Sequence, residues 1–161
     1  MLVTLPAAPG ITETRKTATI AGFNLANDLA LLTIATSFGV PGIDFPTMVL
    51  ASDQRCTTGQ RTMTRDGDEL VMETTGNDVQ AIAIYRVWGK RSIGVGNFKY
   101  LTDLGGVPGL SGGPIYTVTG RTLAGIIQQR DLGLSSITPI IAIDGCQIAN
   151  LLPSLRSGGG S

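Results

Sequence analysis

Glycine and turn dipeptides cut this chain into short pieces, and that punctuation limits the fold more than any other feature. Among its 161 residues are 22 glycines and 8 prolines. Pro9-Gly10, Asp66-Gly67, Gly76-Asn77 and Gly105-Gly106 mark turns between brief apolar runs. Short apolar runs bounded by such turns read as strands. An all-β barrel or sandwich is the expectation. The hydrophobic share of 42% suffices for a core, and the length suits one ordinary domain or two small ones.

The same runs place the elements. Strands are expected at Leu2–Leu5, at Lys16–Phe23 (which alternates polar and apolar) and at Leu29–Ile34, a continuous apolar run. Ser37 to Pro46, with two glycines and two prolines, reads as a connector. Further strands are expected at Arg61–Arg65, Glu69–Thr74, Val79–Trp88, Phe98–Leu101, Gly113–Val118, Thr122–Gln128 and Ile137–Ile143. Asp144 is placed to cap a short helix, Gly145–Leu152, with Pro153 close to its end.

Lys and Arg number 12, and so do Asp and Glu. A balanced chain has no long-range field for nucleic acid or an anionic membrane. Met1-Leu2-Val3-Thr4-Leu5 lacks the basic start and the full apolar core of a secretory signal. The apolar stretch from Ile137 to Leu152 contains Asp144 and Asn150 and is too short to span a bilayer. The chain reads as soluble, with its compartment open. Its two cysteines, Cys56 and Cys146, form no disulfide framework and read as buried, unpaired thiols. With no histidine in the chain and the cysteines far apart, no metal-ligand set is present, and no cofactor is expected.

Gly109-Leu110-Ser111-Gly112-Gly113-Pro114 is the stretch with chemical content. Glycines on both sides let the backbone approach a ligand closely. Such a turn can hold the Ser111 hydroxyl outward while nearby N–H groups converge on one point. Acyl transfer needs that pairing of a nucleophile with donors for an oxyanion. The plainer alternative is a glycine-rich turn whose serine bonds its own backbone. Lys90 and Lys99 read as solvated loop charges rather than as a base for Ser111. Asp66 and Asp68 read as turn residues rather than ligands.

Two other stretches accompany this loop: Asp28-Leu29-Ala30-Leu31-Leu32 upstream and Gly125-Ile126-Ile127 downstream. In this order and spacing the three resemble the trypsin-like (chymotrypsin-fold) serine peptidases. That family has an Asp-Ile/Leu-Ala-Leu-Leu strand, a Gly-x-Ser-Gly-Gly-Pro loop and a following Gly-Ile-Val-type strand. The resemblance covers nearly the whole chain at the level of motifs. It implies a double β-barrel with a short C-terminal helix, the first barrel incomplete. Residues 1–45 would be the remaining strands of the first barrel, 46–156 the second barrel with the helix, and 157–161 a flexible tail.

The resemblance also assigns roles. Ser111 would be the nucleophile and Asp28 the acid that orients a histidine. Gly109 and Ser111 would donate N–H groups to the oxyanion. Gly105 would floor the primary specificity pocket, with no charge to favour Arg or Lys. Gln128, Gln129 and Arg130 would line the wall where substrate backbone pairs, Arg130 standing where glycine is usual. Leu110 replaces an aspartate that many relatives use after zymogen cleavage. Cys56 matches a bridging position, but its expected partner is replaced by Thr117.

The family's histidine is missing, so a chain with these motifs alone should be nearly inert. Three readings follow. The first is a serine endopeptidase acting on peptide or protein substrates, its histidine supplied by an upstream segment or a second chain that also completes the first barrel. The second is a catalytically dead relative that binds peptide or protein, with Pro9 standing in an alternative alignment where the histidine would be. The third is an unrelated all-β binding domain.

Overall fold

The computed structural model describes residues 1–5, 14–34, 56, 63–75, 84–94, 99–104, 111–118, 122–130 and 140–158. The chain forms two compact units, one of residues 1–47, 78–82 and 151–161, the other of 48–77 and 83–150.

The first unit is built on three antiparallel strands, β1 (Leu2–Leu5), β2 (Thr14–Asn24) and β3 (Leu29–Ile34), in the order β1-β2-β3. The register of β2 and β3 slips between Ile20 and Gly22, which leaves Ala21 as the extra residue of a bulge. Ala18, Ile20 and Phe23 therefore share one face with Ala30, Leu32 and Ile34. Gly22 lies on the other face, where a Cβ would collide with the backbone of Leu155.

The second unit is a closed antiparallel barrel. Its strands are β4 (Glu69–Thr75), β5 (Ile84–Gly94), β6 (Lys99–Thr102), β7 (Pro114–Thr117), β8 (Leu123–Arg130) and β9 (Ile140–Asp144). They close in the order β4-β5-β6-β9-β8-β7. Alternate residues point inward, as the two-residue period of a strand requires. Leu70 and Met72, Tyr100, Ile115, Ala124, Ile140 and Ala142 form the buried core with Leu104 and Ile127. Barrel closure removes the free edges that an open sheet leaves.

The helix α1 (Gly145–Arg156) follows β9 directly. Asp144 caps it: its Oδ1 accepts the N–H of Cys146 at 2.9 Å. The same oxygen accepts the N–H of Met63 at 2.8 Å. Arg91 completes this buried cluster. Its Nη1 donates to the carbonyl oxygen of Thr64 and, at 3.1 Å, to the Thr64 hydroxyl. Its Nε donates to Asp66 Oδ1 at 3.1 Å, and its guanidinium carbon lies 5.0 Å from the centre of the Tyr100 ring.

Four expectations need correction. No strand covers the described part of Arg61–Arg65. Residues 63–68 bend and turn instead, because the N–H groups of Met63 and Arg65 are taken by the Asp144 and Asp68 side chains. The strand expected at Val79–Trp88 runs Ile84–Gly94, and residues 79–83 lie outside the described set. Gly89, one residue past the expected end, is a strand residue packed so closely on the Leu104 side chain that a Cβ would stand 2.7 Å from it. The helix does not stop at Leu152 but passes through Pro153. It ends where Gly158 takes a φ of 78°, a left-handed terminating residue.

The fourth correction concerns the cysteines. Cys56 and Cys146 are not unpaired thiols; they form a disulfide across a sequence separation of 90, with Cα atoms 5.4 Å apart. Closing a loop of that length stabilises the fold by roughly 4.6 kcal/mol in the chain-entropy account. The family pairing had sent Cys56 toward position 117, whereas the barrel brings the start of α1 to it.

Candidate active site

Ser111 and Gly112 form a turn that leads straight into β7. Gly112 takes a φ of 87°, a conformation that side chains with a Cβ rarely adopt, which is why glycine follows the serine. The turn is held to β8 at two points. Gly112 N donates to Ile127 O at 2.7 Å, and Ile127 N donates to Gly113 O at 2.9 Å. The paired β7–β8 ladder begins next door, at Pro114↔Ile126. Proline fits the first position of a strand because it brings no donor to the ladder.

Ser111 is exposed. Its Oγ donates to the main-chain oxygen of Gln128 at 3.0 Å. A carbonyl accepts that hydrogen bond but cannot take the proton away, so this geometry positions the hydroxyl without activating it. Gln128 is also where β8 departs from its β9 partner, the register slipping between Ile127 and Gln129. Gln129 and Arg130 continue the strand opposite Ile141 and Ile140. The structure thus brings Ser111 together with the strand expected to line the substrate site. Gly105, Gly109 and Leu110 lie outside the described residues, as does Pro9.

Asp28 stands in the first unit, at the end of the turn joining β2 to β3. Asn24 Oδ1 accepts both the main-chain N–H and the side-chain amide of Asn27, each at 2.9 Å. Asp28 N donates to Leu25 O at 3.2 Å, and the residue takes a φ of 51°. Aspartate and asparagine tolerate that left-handed conformation better than most residues. β3 begins at the next residue, so the acid sits at the mouth of a strand as its sequence context required. Its side chain is exposed.

Arg91 and the role of the Gln128 carbonyl were not foreseen. Nothing in sequence marks a main-chain oxygen as a hydroxyl acceptor. Arg91 sat unremarked among strand residues, although an arginine in a barrel strand near Asp66 was a usable signal.

A closed six-stranded barrel, a partial sheet before it, a C-terminal helix and an exposed serine on a glycine turn define a partial trypsin-like fold. Solved serine proteases share it. A serine endoprotease from Yersinia pestis is 20% identical, with a TM-score of 0.61 over 89% of this chain and 45% of its own. The HtrA-type protease AlgW solved with a decapeptide is 22% identical, with a TM-score of 0.63 over 92% of this chain and 42% of its own. The same protease with a tripeptide is 21% identical, with a TM-score of 0.64 over 93% and 46%. The chain spans less than half the length of each. No protein-family model and no curated protein sequence matches it. Among the described residues no helix is long and apolar enough to cross a membrane.

Proposed function

We propose that this chain is the nucleophile-bearing part of a trypsin-like serine endopeptidase. The observation that carries the reading is the exposed Ser111 hydroxyl, held on a glycine turn against β8 in a fold shared with serine proteases. Ser111 Oγ attacks the carbonyl carbon of a peptide bond and its proton passes to a histidine from an upstream segment or a second chain. A second copy of this chain cannot supply it, because the sequence contains no histidine. Asp28 orients that imidazole, and the N–H groups of Gly109 and Ser111 hold the oxyanion. The substrate lies extended along Gln128, Gln129 and Arg130, its side chain directed to a pocket floored by Gly105. Strand addition of this kind fixes a peptide through main-chain hydrogen bonds, and one of the similar proteases was solved with two different peptides.

The missing base gives the test. Free imidazole, added in excess, stands in for it. The chain should hydrolyse an activated peptide ester faster with imidazole than imidazole does alone, and Ser111→Ala should abolish the increment. An increment of about tenfold or more is expected, since oxyanion stabilisation and binding survive loss of a triad member. An increment that Ser111→Ala leaves intact overturns the reading.

A second reading is favoured by the hydrogen bond from Ser111 to Gln128 O and by the absence of histidine. In it the chain binds an extended peptide without cleaving it. Peptide binding that Ser111→Ala leaves unchanged, with no imidazole-dependent turnover, is the pattern this reading requires.

A further inference from the structure

The Ser111 hydroxyl has one proton to donate. In this structure it goes to the main-chain oxygen of Gln128, 3.0 Å away, within the barrel unit. The main chain just after the serine is fixed: Gly112 N donates to Ile127 O at 2.7 Å, and Ile127 N to Gly113 O at 2.9 Å. Gln128 follows at once as the extra residue of a bulge, because Ile127 pairs with Ala142 and Gln129 with Ile141. A bulge re-aims the group it carries. Hydroxyl and carbonyl are thus held face to face, and a turn of the serine side chain alone separates them.

Attack on a peptide requires that turn. A hydroxyl whose proton lies on a carbonyl oxygen cannot pass it to a base, as a nucleophilic serine must. The same attack brings a second donor to Gln128. A reacting carbonyl carbon stands about 3–3.5 Å from its nucleophile. The amide nitrogen of the same residue lies two bonds further on, about 2.5 Å from that carbon. An N–H so placed is within hydrogen-bond reach of an oxygen that is itself 3.0 Å from Ser111 Oγ. Two hydrogens crowded on one oxygen repel each other, so the peptide N–H and the serine O–H compete for it.

We propose, resting on the peptidase reading, that the Gln128 carbonyl oxygen is a shared acceptor that couples peptide docking to release of the Ser111 hydroxyl. Without peptide the oxygen holds the hydroxyl in a resting position. With peptide it takes the N–H of the residue whose carbonyl is attacked, and the hydroxyl turns toward the base. Gln128 is then a positioning residue that acts through its main chain. The ligand class follows: an extended peptide with an N–H at that place, in preference to a chain with an ester linkage there. Coupling between two donors on one acceptor is reciprocal. Removing the serine hydroxyl must therefore strengthen the hold on the peptide N–H.

The experiment is an NMR titration of the whole chain and of Ser111→Ala, without imidazole, followed at the main-chain amides of Ile127 and Gln128. One ligand is acetyl-trialanine amide. The other carries lactate in place of the last alanine, so that an oxygen stands where that N–H was. Ser111→Ala should bind the all-amide peptide about fivefold more tightly than wild type does, the worth of one ordinary hydrogen bond. It should bind the lactate peptide no better. Ser111→Cys, whose thiol is a weak donor, should gain less. An all-amide affinity that Ser111→Ala leaves unchanged or weakens overturns the inference, as does an equal gain for both peptides. Binding of neither peptide up to the limit of solubility overturns it too. Imidazole-dependent hydrolysis judges the peptidase reading separately.

Discussion

Asp144 ties two segments of the barrel unit together. It is fully buried, caps α1 and anchors Met63, yet among the described residues its Oδ2 accepts no hydrogen bond. Burial raises its pKa above the ordinary carboxylate value of 3.8; hydrogen bonds from Met63 and Cys146 and the charge of Arg91 oppose the rise without cancelling it. Tyr100 is raised as well, by burial first and by the charge of Asp144 second. A carboxyl whose pKa is higher folded than unfolded binds its proton more tightly in the fold. Stability therefore falls as pH rises through the window that opens at 3.8 and closes at the raised value. Asp144→Asn keeps an oxygen for the cap and removes the titration. Melting curves of the two proteins should show wild type gaining on Asp144→Asn as pH falls through that window toward 3.8. A gap that is flat with pH, or that opens the other way, contradicts this. At this scale the sequence was informative wherever local chemistry decides. Asp144 was read as a cap because an acid precedes a helix, and Ser111 as an exposed turn hydroxyl because glycines surround it. The disulfide was not legible, since 90 residues separate partners that only the barrel brings together.

At the scale of elements, each misplaced boundary traces to a residue whose tertiary partner outweighs its local preference. Gly89 ends nothing, because β5 pairs with β4 as far as Lys90 and then with β6 from Arg91. Pro153 ends nothing either. It removes one hydrogen bond, the one to Ala149, yet the helix continues to Arg156 and buries Leu155 to 3% exposure on the far side. Burying a leucine stabilises by about 2 kcal/mol, enough to offset a proline in the last turns. Pro153 itself is exposed. Pro153→Ala should restore the helix bond at the cost of a freer unfolded chain, for a net gain of about 1 kcal/mol. Urea unfolding measures it directly; a loss of stability would mean that proline's rigidity matters more here than the missing bond.

For the whole molecule, the barrel and the sheet contrast. The barrel closes on itself, and most of its strands were readable from short apolar runs between turns and from the motif order. Among the described residues the sheet of the first unit does not close. Ile20 is 61% exposed and Phe23 42%, on the face they share with Leu32 and Ile34, and Leu25 in the adjoining turn is 76% exposed. Alternation in β2 identified the strand, but it could not say whether anything covers its apolar side. Exposed apolar area of this kind favours association, and each large side chain removed from water contributes roughly 2 kcal/mol. The chain by itself should therefore self-associate weakly, its average mass in sedimentation rising toward about 1 mM, since two such side chains contribute about 4 kcal/mol. Ile20→Ser with Phe23→Ser should hold it at the monomer mass without altering the melting of the barrel. A wild-type chain that remains monomeric throughout would show that this face needs no cover. Loss of association in the double variant would instead mark it as the face that further strands of a first barrel would occupy, the arrangement that the peptidase reading requires.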